Sequence, residues 1–548
     1  MSGLFHLTYS SEGETRSIDG TADNGDDLVL SISDDGRRRT VKIRANKEIG
    51  LLEFRESCPQ CFTEDDGDSD GTVHFMNGYQ SWTDSRETYL SEKEKDVKSM
   101  PRKLVDAYSF DRYGDASFYP YRKNILHGYD VYYCRGRKNG FILNLNFRNA
   151  YLIIEADRGS GNVTVSSDVF GAVLNEGEEF TVCDYAYGGS FEEGLSFLRQ
   201  HSTVNRASKL FGYTSWYNYY QNINESIIFR DLEALDERFS LFQIDDGYEK
   251  HVGDWLTVDE QKFPNGLRPI VESIHARGMK AGIWLAPFVA EGNSELFQTH
   301  RDWFRTDDMD RPVKCGSNWG GFYALDLENE YALDYIGKCL AHYSDLGFDF
   351  FKLDFLYASN LPEYYGITRS QAAERAYSGI RDILKDKLIL GCGATLFNCI
   401  GKFDYVRVGP DVSLKFDDAW YMKFMHRERI STKVTLQNTV YRSFMDGTLF
   451  GNDPDVFLLR DENNHLTPGQ KKSLLTLNAL FGSVMMTSDN ISGYDDEKRA
   501  LLSEAIDLFE NASVTGYRRD GRFIVITYSH KEMEKTIRYD TVRGELID

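Results

Sequence analysis

The sequence predicts a multidomain α/β protein in which a central (β/α)8 TIM barrel is preceded by an antiparallel β-sandwich and followed by a small β domain. Three observations carry this. Up to about residue 190, short segments of alternating apolar and polar residues recur between Gly, Asp and Asn clusters. From about residue 210, compact apolar runs alternate with helical stretches, as parallel βαβ units require. Beyond about residue 497, a helical stretch gives way to two strand patterns. The expected domains are residues 1–195, 196–497 and 498–548.

In the first domain the strand candidates are Leu28–Ser33, Arg39–Ala45, Phe141–Arg148, Tyr151–Glu155 and Asn162–Ser166. Many short strands with turn residues between them and little helical periodicity read as a sandwich. The charged stretch Ser91–Val105 fits a helix or a loop.

The second domain offers eight strand candidates: Tyr213–Asn218, Leu241–Asp245, Lys280–Ala286, Phe350–Asp354, Leu388–Gly393, Tyr405–Gly409, Val434–Gln437 and Val484–Thr487. Helical stretches Leu267–Arg277, Glu330–Leu346 and Ser370–Lys385 precede the third, fourth and fifth. Eight such strands over roughly 280 residues fit a TIM barrel with insertions. A doubly wound open sheet would want a phosphate-binding glycine turn after its first strand, and none stands there. In the third domain, Lys498–Phe509 reads as a helix, and Phe523–Ser529 and Thr536–Asp540 as strands.

Composition narrows the partners. The formal net charge of −23, from 86 acidic against 63 basic residues, disfavours nucleic acid and anionic membrane surfaces. A small neutral ligand fits better, and the aromatic share of 14% suits the apolar faces of sugar rings as well as it suits cores. The eight cysteines are scattered, Cys58-Pro-Gln-Cys61 is a lone C-x-x-C, and the amino terminus shows no signal-peptide pattern, so a reduced, cytoplasmic protein is expected. No run approaches the roughly 18 apolar residues that span a bilayer.

In a TIM barrel, functional groups sit at the carboxyl ends of strands. Here those ends carry Asp245-Asp246, Trp284, Lys352 with Asp354, Cys392-Gly393, and Arg407 with Asp411. Asp354 and Asp411 close the fourth and sixth strand candidates, so the barrel delivers both carboxyl groups to one mouth. Glycoside cleavage needs such a pair: one to attack or activate water, the other to protonate the departing oxygen. At the spacing of about 5–5.5 Å that retention requires, ionising one raises the other's proton affinity, so the pair can split into a charged nucleophile and a protonated acid.

Lys352 precedes Asp354 by two residues and shares its face of the strand. Its ammonium can hold a carboxylate ionised and donate to hydroxyls. The Arg407 fork suits neighbouring hydroxyls or a carboxylate. The competing reading makes Lys352, Arg407 and the aspartates a structural ion-pair network, and spacing alone leaves that open. Asp245 and Asp246 followed by Gly247 suit a grip on two adjacent hydroxyls, or plain loop solvation. No His or Cys spacing marks a metal site, and no calcium loop appears.

These residues fall within a longer ordered set. It comprises Asn77-Gly78-Tyr79-Gln80-Ser81-Trp82, Thr214-Ser215-Trp216-Tyr217, Phe242–Tyr248, Gly253-Asp254-Trp255, Lys262-Phe263-Pro264 and Gly282–Phe288. It continues through Lys352-Leu353-Asp354-Phe355, Gly391-Cys392-Gly393, Arg407–Asp411 and Asn452-Asp453-Pro454-Asp455. In this set the chain resembles glycoside hydrolase family 36, particularly its shorter bacterial α-galactosidases. The resemblance implies a retaining, exo-acting enzyme on terminal α-galactosides of the melibiose or raffinose type, with no metal or organic cofactor. It makes Asp354 the nucleophile and Asp411 the acid/base, and assigns the galactose 4- and 6-hydroxyls to Asp245 and Asp246. Lys352 and Arg407 would hold other ring hydroxyls, and Trp284, Cys392 and Gly393 would line the pocket. Trp82 would reach over the mouth from its own chain or from a neighbour's in a homo-oligomer. Leu353, Thr395 and Trp216-Tyr217-Asn218 depart from the commoner family pattern. The departures leave α-N-acetylgalactosaminidase or transglycosidase activity as the alternative.

Overall fold

A computed structural model describes residues 5–20, 25–58, 71–92, 100–201, 208–361, 366–417 and 427–547. Two antiparallel sheets form the amino-terminal part. One pairs Glu14–Gly20, Phe5–Ser11, Ile49–Ser57, Val163–Ser167, Leu152–Asp157 and Ile125–Tyr129 in that order. The other runs from Leu28–Asp34 through Arg38–Ala45, Glu179–Gly188, Gly140–Asn144 and Val131–Arg135 to Val73–Met76 and Glu87–Thr88. Strict alternation drives the packing: Phe5, Leu7 and Tyr9 point inward from the first sheet and meet Leu28, Val41 and Ile43 of the second in one core. The expected strand Phe141–Arg148 stops at Asn144, whose side-chain carbonyl accepts the Asn146 N–H and turns the chain. Within Ser91–Val105, residues 93–99 lie outside the description, and Arg102 opens a short helix, Arg102–Tyr108.

The central sheet is parallel throughout. Its strands are Leu210–Thr214, Leu241–Ile244, Lys280–Leu285, Phe350–Leu353, Leu388–Gly391, Tyr405–Arg407, a seventh in two pieces, Gly451–Asp453 and Val456–Phe457, and Val484–Thr487. The first strand pairs with the eighth, Leu210 opposite Val484, and the split seventh strand bridges Tyr405 on one side and Met486 on the other. The split falls at Pro454, which has no N–H to give a ladder. Helix Glu330–Leu346 is capped by the Asn329 side chain and ended by Gly347 at φ 105°, and Arg369–Leu384 opens on a Thr368/Gln371 capping box.

Two expectations change here. Val434–Gln437 is not a strand but part of the buried helix Thr432–Tyr441, whose first turn is capped by Ser431 Oγ accepting from Val434 N–H. Val434-Thr435-Leu436-Gln437 alternates apolar and polar residues as a strand does, and four residues are too few for a helical period to show. The seventh strand lies instead in the Asn452–Asp455 segment. The first strand ends at Thr214, and Trp216–Tyr219 is a helical turn.

A three-stranded antiparallel sheet, Val289–Glu291, Phe322–Ala324 and Lys314–Gly316, intervenes between the third and fourth strands. A carboxy-terminal four-stranded sheet, Ala512–Asp520 to Glu545–Ile547, packs Ile524, Ile526 and Tyr528 onto the barrel's core. Among the described residues, no helix is long and apolar enough to cross a membrane. Cys58 is disulfide-bonded, a departure from a fully reduced chain; Cys61 lies outside the described residues, and Cys134, Cys183, Cys315, Cys339, Cys392 and Cys399 are free.

Candidate active site

The carboxyl ends of the barrel strands open into a cavity of about 220 Å³ whose lining includes Asp245, Asp246, Trp284, Lys352, Asp354 and Asp411. Asp354 follows the fourth strand. Its Oδ2 accepts the Trp284 indole N–H at 3.0 Å and its Oδ1 accepts the Phe355 backbone N–H at 2.8 Å, while its own N–H donates to the Leu285 carbonyl at 2.8 Å. Phe355 holds φ 53°, a left-handed conformation costly for an aromatic residue, directly beside the carboxylate. Burial raises the Asp354 carboxyl above its ordinary value; Lys352 pulls it back and the Asp411 charge pushes it up.

Asp411 stands at the rim with 34% of its side chain exposed. Its Oδ1 accepts from Arg407 Nη1 at 3.0 Å. The rest of that guanidinium is already engaged: Nε donates to Asp453 at 3.0 Å and Nη2 meets Asp455 at 2.9 Å. Burial works against the charged guanidinium, but Asp455 and Asp453 outweigh it and keep Arg407 firmly protonated. Asp455 also accepts from the Tyr217 hydroxyl and, at 2.7 Å, from the Val412 N–H; burial pushes its carboxyl up to about 7, against the pull of Arg407. Arg407 thus brackets three carboxyl groups, those of Asp411, Asp453 and Asp455.

Lys352 Nζ donates to Asp245 Oδ2 at 2.8 Å. Burial disfavours the ammonium, yet Asp245 more than compensates and raises its proton affinity above that of an ordinary lysine. The same Asp245 oxygen accepts from Gln243 Nε2 at 2.7 Å, and Oδ1 from the Asp246 N–H at 3.0 Å. Asp246 accepts from Gln221 Nε2 at 3.2 and 3.1 Å and from Trp319 Nε1 at 3.0 Å. Both aspartates are therefore fixed acceptors rather than solvated loop residues.

Trp82 of the amino-terminal part reaches the cavity of its own chain. Its indole N–H points at Cys392 Sγ, 3.3 Å away, and its ring stacks edge-on against Phe355. Gly393 sits beneath that ring: a Cβ there would lie 3.0 Å from it, so only glycine fits. Cys392 and Gly393 both lie against Trp82, the cavity-lining indole. The loop bearing Trp82 is clamped by Arg442, which is fully buried and donates to Asn77 Oδ1 at 3.0 Å, to the Ser81 carbonyl at 2.6 Å and to the Val408 carbonyl at 2.9 Å.

Trp319, Tyr113 and Glu428 also line the cavity without having been singled out from the sequence, and Trp216, noted there as part of a departure from the family pattern, lines it too. Trp319 lies in the turn Asn318–Gly320 between two strands of the small inserted sheet, where no strand-end rule points. Asp453 and Asp455 had a signal in the Asn452–Asp455 segment but no assigned role. Among the described residues no group of His, Cys, Asp and Glu is arranged to hold a metal ion.

Barrel, mouth and facing carboxyl groups together define a glycoside-hydrolase-type architecture. Residues 204–387 match the Melibiase family model. A segment of 132 residues is 36% identical to an α-galactosidase of Escherichia coli, covering 23% of this chain and 18% of that protein. The α-galactosidase TtGalA of Thermus thermophilus, in complex with p-nitrophenyl α-D-galactopyranoside, shares the fold at a TM-score of 0.71 and 24% identity, over 96% of this chain and 98% of that one. AgaA of Geobacillus stearothermophilus, a GH36 α-galactosidase, shares it at a TM-score of 0.60 and 13% identity, over 93% and 72%. Residues 204–387 thus form a melibiase segment, and the chain is similar in fold to α-galactosidases such as the GH36 enzyme AgaA.

Proposed function

We propose that the protein is a retaining exo-α-galactosidase acting on terminal α-galactosyl residues of small oligosaccharides. The observation that carries this reading is that Asp354, half-buried and hydrogen-bonded to Trp284 and to the Phe355 backbone, shares one cavity with the rim carboxyl Asp411. In the first step an Asp354 oxygen bonds to the anomeric carbon while the bond to the leaving sugar breaks and the Asp411 proton passes to the departing oxygen. In the second, Asp411 takes a proton from water, whose oxygen displaces Asp354 and restores the α-configuration. Asp245 and Asp246 accept from ring hydroxyls and Lys352 donates to them. Trp82, Trp284 and Trp319 enclose the ring and exclude water.

A second opening runs from Asp411 past Trp216, Tyr220, Leu414, His465 and Ile430. It lies on the side where the proton is delivered, and the leaving sugar belongs there. The six free, buried cysteines support a cytoplasmic location.

Hydrolysis of p-nitrophenyl α-galactoside tests the reading. Asp354→Ala lowers kcat by on the order of 10⁴-fold or more, while Asp411→Ala loses far less on this activated leaving group than on a raffinose-type sugar. Near wild-type turnover by a folded Asp354→Ala variant would overturn it. The N-acetylgalactosaminide run in parallel separates the two sugars.

A further inference from the structure

Asp246 meets a second carboxyl group. Glu249 lies three residues further along the loop after the second barrel strand, is 4% exposed, and its side chain hydrogen-bonds that of Asp246. Two carboxyl groups share a hydrogen bond only when one of them carries the proton. The environment decides which. Asp246 receives three N–H contacts from Gln221 and Trp319, all favouring its charged form. Glu249 Oε2 receives the Gly247 N–H at 3.2 Å, and the nearby ammonium of Lys262 is spent on the Gln221 and Gly247 carbonyls. The loop is too tight to relax: Gly247 holds φ 117°, and a Cβ there would lie 2.7 Å from the Gln221 backbone.

We propose, resting on the galactoside reading above, that Glu249 is a positioning residue: its neutral carboxyl donates to Asp246 and fixes that carboxylate with free lone pairs toward the sugar's hydroxyls. Burial pushes the Glu249 carboxyl well above its ordinary value, and the Asp246 charge pushes it further. Rising pH removes this proton, two like charges then face each other, and Asp246 loses its orientation. KM rises while kcat, set by Asp354 and Asp411, does not follow.

Other titratable groups surround the pair. Asp245 adjoins it; the Tyr248 and Tyr343 hydroxyls donate to the Trp284 and Trp255 carbonyls; and His251 pairs with Glu291 at 2.6 Å. The His251–Glu291 pair is left in place by substitution at Glu249.

The test compares wild type, Glu249→Gln and Glu249→Ala for galactose affinity by calorimetry, and for KM and kcat across pH. Glutamine keeps an N–H donor that cannot ionise. Its galactose affinity at neutral pH stays within about threefold of wild type, and its KM is flat where the wild-type KM climbs. Alanine loses roughly 10- to 100-fold in affinity, as expected for a hydrogen bond to a charged group. Equal losses in the two variants, or an alkaline KM rise retained in Glu249→Gln, would overturn the proposal. A wild-type protein that neither binds galactose nor turns over a galactoside would overturn the galactoside reading itself, and the two failures are distinct.

Discussion

Arg407 gives Asp411 one donor, Nη1 at 3.0 Å, and reserves the rest of its guanidinium for Asp453 and Asp455. One cation thus serves three carboxyl groups, and the proposed acid/base receives only a share of its charge.

Asp453→Asn takes a carboxylate away from Arg407 Nε. The guanidinium is then held less firmly against Asp411, and steady-state kcat/KM should fall roughly 10-fold. An unchanged kcat/KM contradicts the sharing.

Trp284→Phe removes the N–H held against Asp354 Oδ2 at 3.0 Å but keeps an aromatic wall. Steady-state kinetics should show kcat down roughly 10- to 100-fold with KM little changed, the signature of a bond made chiefly to the reacting carboxylate. A purely packing role would raise KM instead.

Arg442→Met leaves Asn77 Oδ1 and the Ser81 and Val408 carbonyls buried without their donor. Thermal unfolding should show a loss of about 3 kcal/mol or more. Activity at temperatures where the variant remains folded should also fall, because the Trp82 loop is released from the mouth.

Asp130 reports on the pH dependence of stability. Burial raises its carboxyl to about 7 in the folded chain, against an ordinary 3.8. Below about pH 4 both states hold the proton and nothing is lost. Between about 4 and 7 the unfolded chain ionises first, and stability drains away as pH rises. Asp130→Asn, keeping an acceptor for Asn144 Nδ2 and the Leu152 N–H, should flatten that decline in denaturant titrations run from pH 4 to 7.

The barrel strands were legible where a short apolar run ended in a functional polar group, as at Phe350–Leu353 before Asp354 and Leu241–Ile244 before Asp245. Val434–Gln437 misled because a fully buried helix loses the polar face that marks its period. The split seventh strand was hidden by its own Pro454. Strand-end reasoning placed Asp354, Asp411, Asp245, Asp246, Lys352 and Trp284 around one cavity. It did not foresee the partners of Arg407, because Asp453 and Asp455 fall at the break of a strand not recognised as one. Trp319 and Glu249 depend on contacts within and between loops, which no local pattern encodes.

The Asn77–Trp82 loop is gripped by a barrel side chain and in turn closes the barrel's mouth. Neither portion could be exchanged between relatives by recombination unless loop, clamp and glycine cushion travelled together. The sandwich and the barrel are therefore bound into a single hereditary unit, and divergence on either side of the seam must be answered on the other.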